Sequence, residues 1–171
     1  MEKGYVQVYT GNGKGKTTAA FGLCLRAICA GKKVFIGQFV KGMEYSELKA
    51  VKLLPGLEIE QFGRGCFIRN EPSKEDFEAA RLGLEKCKEV LKCGEYDVVV
   101  LDEINIAMFF KLVSVEEVLE LIKLKAEKTE LILTGRYAPQ EIIDAADLVT
   151  EMREIKHYYT KGVMARKGIE S

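Results

Sequence analysis

The segment Thr10-Gly11-Asn12-Gly13-Lys14-Gly15-Lys16-Thr17-Thr18 constrains the fold of this chain more than any other. A short β-like run, Tyr5-Val6-Gln7-Val8-Tyr9, precedes it. A helical pattern with Ala20, Leu23, Cys24, Ala27 and Ile28 on one face follows it. Strand, glycine-rich loop and helix in that order make a phosphate-binding P-loop. Glycines let backbone N–H groups turn inward around phosphate oxygens, and the helix N-terminus adds positive dipole at the same point. Lys16 supplies a mobile cation, and Thr17 offers a hydroxyl to Mg²⁺. Gly11, Asn12, Gly13, Lys14, Gly15, Lys16, Thr17 and Thr18 are therefore the expected phosphate contacts. The general pattern G-x-x-x-x-G-K-[ST] has Gly where this chain has Thr10. A glycine-rich surface turn with incidental lysines is the plain alternative. It leaves the coincidence of strand, loop, Gly-Lys-Thr and helix unexplained.

The rest of the chain alternates between strand-like and helix-like patterns, which indicates an α/β fold with a parallel sheet and helices on both faces. Lys33 to Val40 is an apolar run and reads as the second strand. A short helix from Ser46 to Leu53 ends at the turn signal Pro55-Gly56. Leu57 to Phe62 alternates with period two, as a half-buried edge strand does. Gly63 to Pro72 is a long irregular loop, and Ser73 caps a helix running to about Lys92. Val98-Val99-Val100-Leu101 is a continuous apolar run typical of a central parallel strand. Ser114-Val115-Glu116-Glu117 is a capping box opening another helix. Leu131 to Thr134 is a strand, Pro139 starts a helix to about Ala146, and Leu148 to Met152 is a sixth strand. Ile155 to Ser171 reads as an ordered hairpin or loop. At 171 residues, the chain fits one domain over residues 1–171.

Composition narrows the partners. Twenty-six basic and 26 acidic residues give zero net charge, which argues against nucleic acid. No apolar run is long enough for a membrane span, and Met1-Glu2-Lys3-Gly4 leads straight into the first strand, leaving no room for a signal peptide. The five cysteines show no C-x-x-C spacing, so reduced packing cysteines in a cytoplasmic protein are expected. A cysteine metal site is not, and the single histidine argues against zinc.

Ligands of open α/β sheets bind at the C-terminal ends of the strands. That rule gathers Asp102-Glu103 after the fourth strand, Thr134-Gly135-Arg136 after the fifth, and Gln38 with Lys41-Gly42 after the second. Thr17, Asp102 and Glu103 are the expected Mg²⁺ ligands. Glu103 stays ambiguous: it orients water in a hydrolase, or is a second metal ligand in a transferase. Gln38, Lys41 and Arg136 are candidate ATP contacts, with surface side chains as the alternative for the two cations. The loop from Phe62 to Pro72 places Phe67 and Ile68 between Arg64 and Arg69 and is the candidate for a second, apolar substrate. No Asn-Lys-x-Asp guanine signature is present, so ATP is favoured over GTP.

Several motifs together resemble the P-loop class of ATP:corrinoid adenosyltransferases. They are Val8 to Gly22, Gln38-Phe39-Val40-Lys41-Gly42, Leu101-Asp102-Glu103-Ile104-Asn105, Leu133-Thr134-Gly135-Arg136, and the tail Lys156-His157-Tyr158 with Lys161 to Ile169. The resemblance spans nearly the whole chain, and Thr10 is part of the family pattern. It implies a recombinase-like sheet of six mainly parallel strands in the order 3-2-4-1-5-6, and a homodimer. It further implies transfer of the 5′-deoxyadenosyl group of ATP to the Co(I) of a reduced corrinoid, with release of triphosphate. Lys16, Thr17 and Glu103 then carry the chemistry, and an electron-donating reductase is the implied partner. In some members two aromatics before the long helix press on the lower corrinoid face. Here those positions fall on Cys66 and Ile68 with Phe67 between them, so Phe67 and Ile68 are the expected corrinoid contacts. A P-loop ATPase or small-molecule kinase, and a non-catalytic ATP- or corrinoid-binding module, are the competing readings.

Overall fold

In the computed structural model, which describes residues 2–43, 45–65 and 71–170, strands and helices alternate along the chain. The strands are β1 (Val6–Thr10), β2 (Val34–Phe39), β3 (Leu57–Phe62), β4 (Val98–Asp102), β5 (Glu130–Thr134) and β6 (Leu148–Glu151). They form one sheet in the order β3-β2-β4-β5-β1-β6, and every neighbouring pair is parallel. The α/β class and the six-stranded parallel sheet are those expected. Only the places of β1 and β5 are exchanged relative to the order the family resemblance implied: β5, not β1, lies beside β4, and β1, not β5, lies beside β6. Burial gives the reason. Leu131, Ile132, Leu133 and Thr134 are fully buried, as suits a central strand covered on both faces, whereas β1 alternates between buried and half-buried residues and lies next to the exposed edge strand β6.

The α-helices are α1 (Lys16–Cys29), α2 (Lys74–Cys93), α3 (Ile104–Phe109), α4 (Val115–Leu124) and α5 (Gln140–Ala145). Period-two alternation sorts the strand side chains into two cores. Val34, Ile36, Val98, Val100 and Ile132 meet Ala20, Cys24 and Ala27 of α1 on one face. Phe35, Phe39, Val99, Leu101, Leu131 and Leu133 meet Leu84, Cys87 and Leu91 of α2, Ile104 of α3, Leu121 of α4 and Ile142 of α5 on the other. Burial pushes the Cys24 thiol up to about 12 and raises that of Cys87, so both side chains pack rather than react. No helix among the described residues is long and apolar enough to cross a membrane.

Local signals explain most boundaries. Ser73 and Ser114 each accept the N–H three residues on, and Asp76 and Glu117 return the bond to the cap. The helix α3 has no such signal. Its residues, apolar apart from Asn105, follow directly on the Asp102-Glu103 pair, and its N-cap is Glu103 in a left-handed conformation, φ 60°. The tail is a loop containing one 3₁₀ turn, Tyr158–Lys161, and the expected helix at Ser46 is also 3₁₀, Ser46–Lys52.

The packing of α2 on β3 leaves no room at Gly83. A Cβ there would lie 2.5 Å from Phe62 Cγ, and Phe62 is itself held against Phe39 with ring centroids 5.5 Å apart. Alanine gains roughly 1 kcal/mol of helix propensity over glycine, but overpacking a filled core costs about 1–3 kcal/mol. Gly83→Ala is therefore expected to lower the urea midpoint at unchanged m value, and a raised midpoint would refute this packing account.

Candidate functional site

The loop between β1 and α1 is shaped by two glycines in the left-handed region. Gly11 has φ 95°, and Gly15 has φ 115° at the N-cap of α1. Gly11 also faces close backbone: a Cβ there would meet Met152 O at 2.4 Å. The Gly13 N–H donates to that same carbonyl at 2.7 Å, so the loop is braced against the chain leaving β6. Lys16 is 8 % exposed, and its ammonium donates to Gly11 O at 2.9 Å and Gly13 O at 2.8 Å. Burial pulls its pKa down from the ordinary lysine value.

Opposite the loop, the fully buried Asp102 at the tip of β4 gathers side chains from four segments. Its Oδ1 accepts from Thr17 Oγ1 at 2.8 Å and Thr134 Oγ1 at 2.7 Å. Its Oδ2 accepts from Lys41 Nζ at 2.7 Å and Gln38 Nε2 at 3.3 Å. A carboxylate has about four lone-pair sites, and all are used here. Burial alone would depress the Lys41 pKa, but the charge and hydrogen bond of Asp102 outweigh it and hold that pKa above the ordinary value.

Glu103 differs from its neighbour. Its N–H donates to Thr134 Oγ1 at 3.0 Å, and its carboxylate lies on the wall of a cleft of about 740 Å³. Burial first, then the charge of Asp102, raise its pKa above the ordinary carboxylate value, against the pull of Lys41, Lys16 and Arg136. Four non-glycine residues have left-handed φ among the described residues, and three of them follow strand tips: Val40 after β2, Glu103 after β4 and Tyr137 after β5. Such strain, about 1–3 kcal/mol per residue, collects where the chain must turn sharply around a site.

The same cleft is lined by Lys14, Lys16, Thr17, Lys41, Glu103 and Arg136. Ile106, Phe109, Phe110 and Tyr137 add an apolar wall, with the Phe109 and Tyr137 rings 4.5 Å apart. A strand-tip carboxylate bonded to the P-loop threonine, beside a second carboxylate on a cleft with cations on one side and an aromatic wall on the other, can take an anionic ligand together with an apolar one. The family model for ATP:corrinoid adenosyltransferase BtuR/CobO/CobP matches residues 2–171. The chain belongs to this family. A corrinoid adenosyltransferase of Sinorhizobium sp is 39% identical over 174 residues, covering 99% of this chain and 81% of that protein. One of Escherichia coli (strain K12) is 35% identical over 169 residues, covering 99% of this chain and 86% of that protein. Another, of Pseudomonas aeruginosa, is 33% identical over 171 residues, covering 99% and 84%. The chain is accordingly an enzyme, and its family acts in adenosyl transfer between ATP and a corrinoid.

Within this family frame, the residues singled out from the sequence fall in three groups. Gly13, Lys14, Gly15, Lys16, Thr17, Thr18, Lys41, Glu103 and Arg136 converge on the cleft, Arg136 as an exposed side chain at its rim, while Gly11, Asn12 and the buried Asp102 do not line it. Gln38 is fully buried and faces Asp102 and Gln61 rather than the cleft. Phe67 and Ile68 lie outside the described residues. Thr134 bridges Asp102 and the Glu103 backbone, a role that sequence reasoning missed; the signal available was a hydroxyl ending the apolar run Leu131-Ile132-Leu133. Asn105 was also missed as a separate element: it is fully buried, donates to Gly135 O at 3.1 Å, and leaves its Oδ1 without a partner among the described residues. The aromatic wall went unread because α3 itself was not visible.

Two outcomes follow from these contacts. Asp102→Asn removes the partner of a nearly buried lysine, so a loss near the low end of the roughly 3–5 kcal/mol range for broken buried pairs is expected. Lys41→Met in the same chain should recover part of that loss, which a double-mutant cycle by chemical denaturation measures. The second outcome concerns pH in metal-free protein. The unfolded chain ionises Glu103 near its ordinary value of 4.5, while the folded chain keeps the proton to higher pH. The contribution of this group is thus present at low pH and lost as pH rises through that window. Glu103→Gln should match the wild type in stability near pH 4 and exceed it near pH 7. A constant difference across that range would contradict the assignment.

Proposed function

We propose that this enzyme transfers the 5′-deoxyadenosyl group of ATP to the Co(I) centre of a reduced corrinoid and releases triphosphate. The observation carrying the reading is the Lys16-Thr17 end of the P-loop joined through Thr17 to Asp102, on a cleft that also holds Glu103. The Co(I) electron pair attacks the ribose C5′, a Co–C bond forms, and the C5′–O bond breaks with its electrons passing to the triphosphate oxygen. No proton moves, so no general base is required. The protein's task is to hold charge on the leaving group. Lys14 and Lys16, both on the cleft wall, stand where that charge grows. Val40, Ile106, Phe109 and Phe110 give the cleft an apolar side that limits water around a reactive Co(I).

Thr17 and Glu103 fit a hard cation with oxygen ligands, and Mg²⁺ held there neutralises triphosphate charge. Asp102, with its four acceptor sites filled, acts by orienting Thr17 and Lys41. Among the described residues, no three His, Cys, Asp or Glu side chains cluster around a common point, so a cation held by Thr17 and Glu103 would draw further oxygen ligands from substrate phosphates or water. The reading extends to a single P-loop domain acting as a cytoplasmic homodimer, supplied with Co(I) by a reductase, in adenosylcobalamin biosynthesis or salvage. Phe67 and Ile68 remain the proposed corrinoid contacts.

The raised pKa of Glu103 favours one competitor, a phosphoryl-transfer enzyme with Glu103 as base. Product identity separates the two. ATP with chemically reduced cobalamin under anaerobic conditions should give an alkyl-cobalamin absorbance change and triphosphate; ADP would establish the competitor. Lys16→Ala is expected to lower turnover about a hundredfold or more. Glu103→Gln should raise the Mg²⁺ concentration for half-maximal rate, whereas a base would instead show an altered pH profile.

A further inference from the structure

The tail beyond β6 reaches back to the P-loop at Lys14, whose ammonium donates to Ile169 O at 3.3 Å and enters a cluster centred on the Glu170 carboxylate. Glu170 Oε1 accepts from Lys14 Nζ at 2.9 Å, from Arg166 Nη2 at 3.1 Å and from the Tyr158 hydroxyl. Its Oε2 accepts from the Arg166 backbone N–H at 2.8 Å and from Arg166 Nε at 3.3 Å. The Tyr158 hydroxyl also accepts from Lys14 at 3.0 Å, and the Lys14 and Arg166 cations sit 5.7 and 5.1 Å from the Tyr158 ring centroid. Two cations, a hydroxyl and a backbone N–H around one anion are the donors by which proteins hold phosphate. The Arg166 hydrogen bond, then those of Tyr158 and Lys14, drive the Glu170 carboxyl well below the usual range, so it is an anion at any working pH.

The position of this cluster gives it meaning. Lys14 belongs to the P-loop, and Lys14 and Glu170 line the same cleft. A phosphate drawn to the Lys14 ammonium meets a carboxylate already there, and like charges at contact repel. Lys14 and Arg166 are solvent-accessible, at 38% and 52% of their side chains against 16% for Glu170, so a competing anion can reach both cations, and ion pairs at such a surface contribute little. A multivalent anion held by the P-loop can therefore displace Glu170.

We propose that Lys14, Arg166 and Tyr158 form an anion subsite for the outer phosphates of the triphosphate group, and that Glu170 occupies it as an internal competitor until substrate displaces it. This rests on the reading that the P-loop holds triphosphate. The tail then serves twice, as a cover over the loop before binding and as a source of an extra guanidinium afterwards. The rival account makes Glu170 a positioning residue that orients Lys14 toward phosphate. The two accounts predict opposite signs when its charge is removed.

Inorganic triphosphate is the probe, because it lacks base and ribose and reports the phosphate subsite alone. Calorimetric titration of the full chain should show Glu170→Gln binding it roughly three- to tenfold more tightly than wild type, the scale of one exposed ion pair. Arg166→Ala should bind it more weakly by a similar factor. As a second readout, triphosphate should inhibit turnover at lower concentration in Glu170→Gln. Unchanged or weaker binding by Glu170→Gln overturns the competitor role. Unchanged or tighter binding by Arg166→Ala overturns the subsite. Lys16→Ala separates these failures from failure of the underlying reading: if Lys16→Ala binds triphosphate as the wild type does, the P-loop is not the phosphate site and both fall.

Discussion

The buried Asp102 carboxylate is the point on which the site depends. Its two oxygens fix Thr17 at the start of α1, Thr134 at the end of β5, Gln38 at the end of β2 and Lys41 just beyond it. A charge removed from water is tolerated only when its acceptor sites are filled and a counter-ion is close. The same requirement that keeps Asp102 stable therefore ties four strand and helix ends into one geometry. Because Asp102 is committed to those partners, the cleft-facing carboxylate is its neighbour, Glu103. Adjacent residues of one motif thus take different tasks through their surroundings alone.

The interposed β5 follows from the same centre. With β5 between β4 and β1, the P-loop and the β4 tip are separated by one strand. Thr134 spans the gap: its hydroxyl donates to Asp102 and accepts from the Glu103 N–H. Sharp turns directly after β2 and β4 then bring Lys41 back over Asp102 and start α3 at once, and the turn after β5 presents Tyr137 beside Phe109. The result is a cleft with cations and carboxylates on one side and rings on the other. That division suits the proposed transfer from ATP to a corrinoid, with the phosphates on the charged side and the macrocycle on the other.

The tail adds a second layer of control by charge. It places a carboxylate, an arginine and a tyrosine against a P-loop lysine, although residues 158 and 170 are far from Lys14 in sequence. The P-loop lysines are accordingly held in two ways. Lys16 is held by loop carbonyls in a buried position, and Lys14, itself solvent-accessible, by the Glu170 carboxylate. Only the second contact can be exchanged for substrate at little cost, since exposed ion pairs are weak.

Much of this was legible in the chain itself. Gly-Lys-Thr between an apolar run and an amphipathic helix identified the P-loop, because only glycine adopts the left-handed turns at Gly11 and Gly15 without strain. Continuous apolar runs marked the buried strands, and Ser73 and Ser114 marked two helix starts, because these signals depend on neighbours a few residues apart. The strand-end rule brought Asp102, Glu103, Lys41 and Arg136 to one rim. The order of β5 and β1, the helix α3 with its aromatic wall, the bridging by Thr134 and the pairing of Glu170 with Lys14 were not legible. Each depends on which distant segments become neighbours, and that is decided by packing of the whole sheet and by the need to pair buried charge, neither of which leaves a local pattern in sequence.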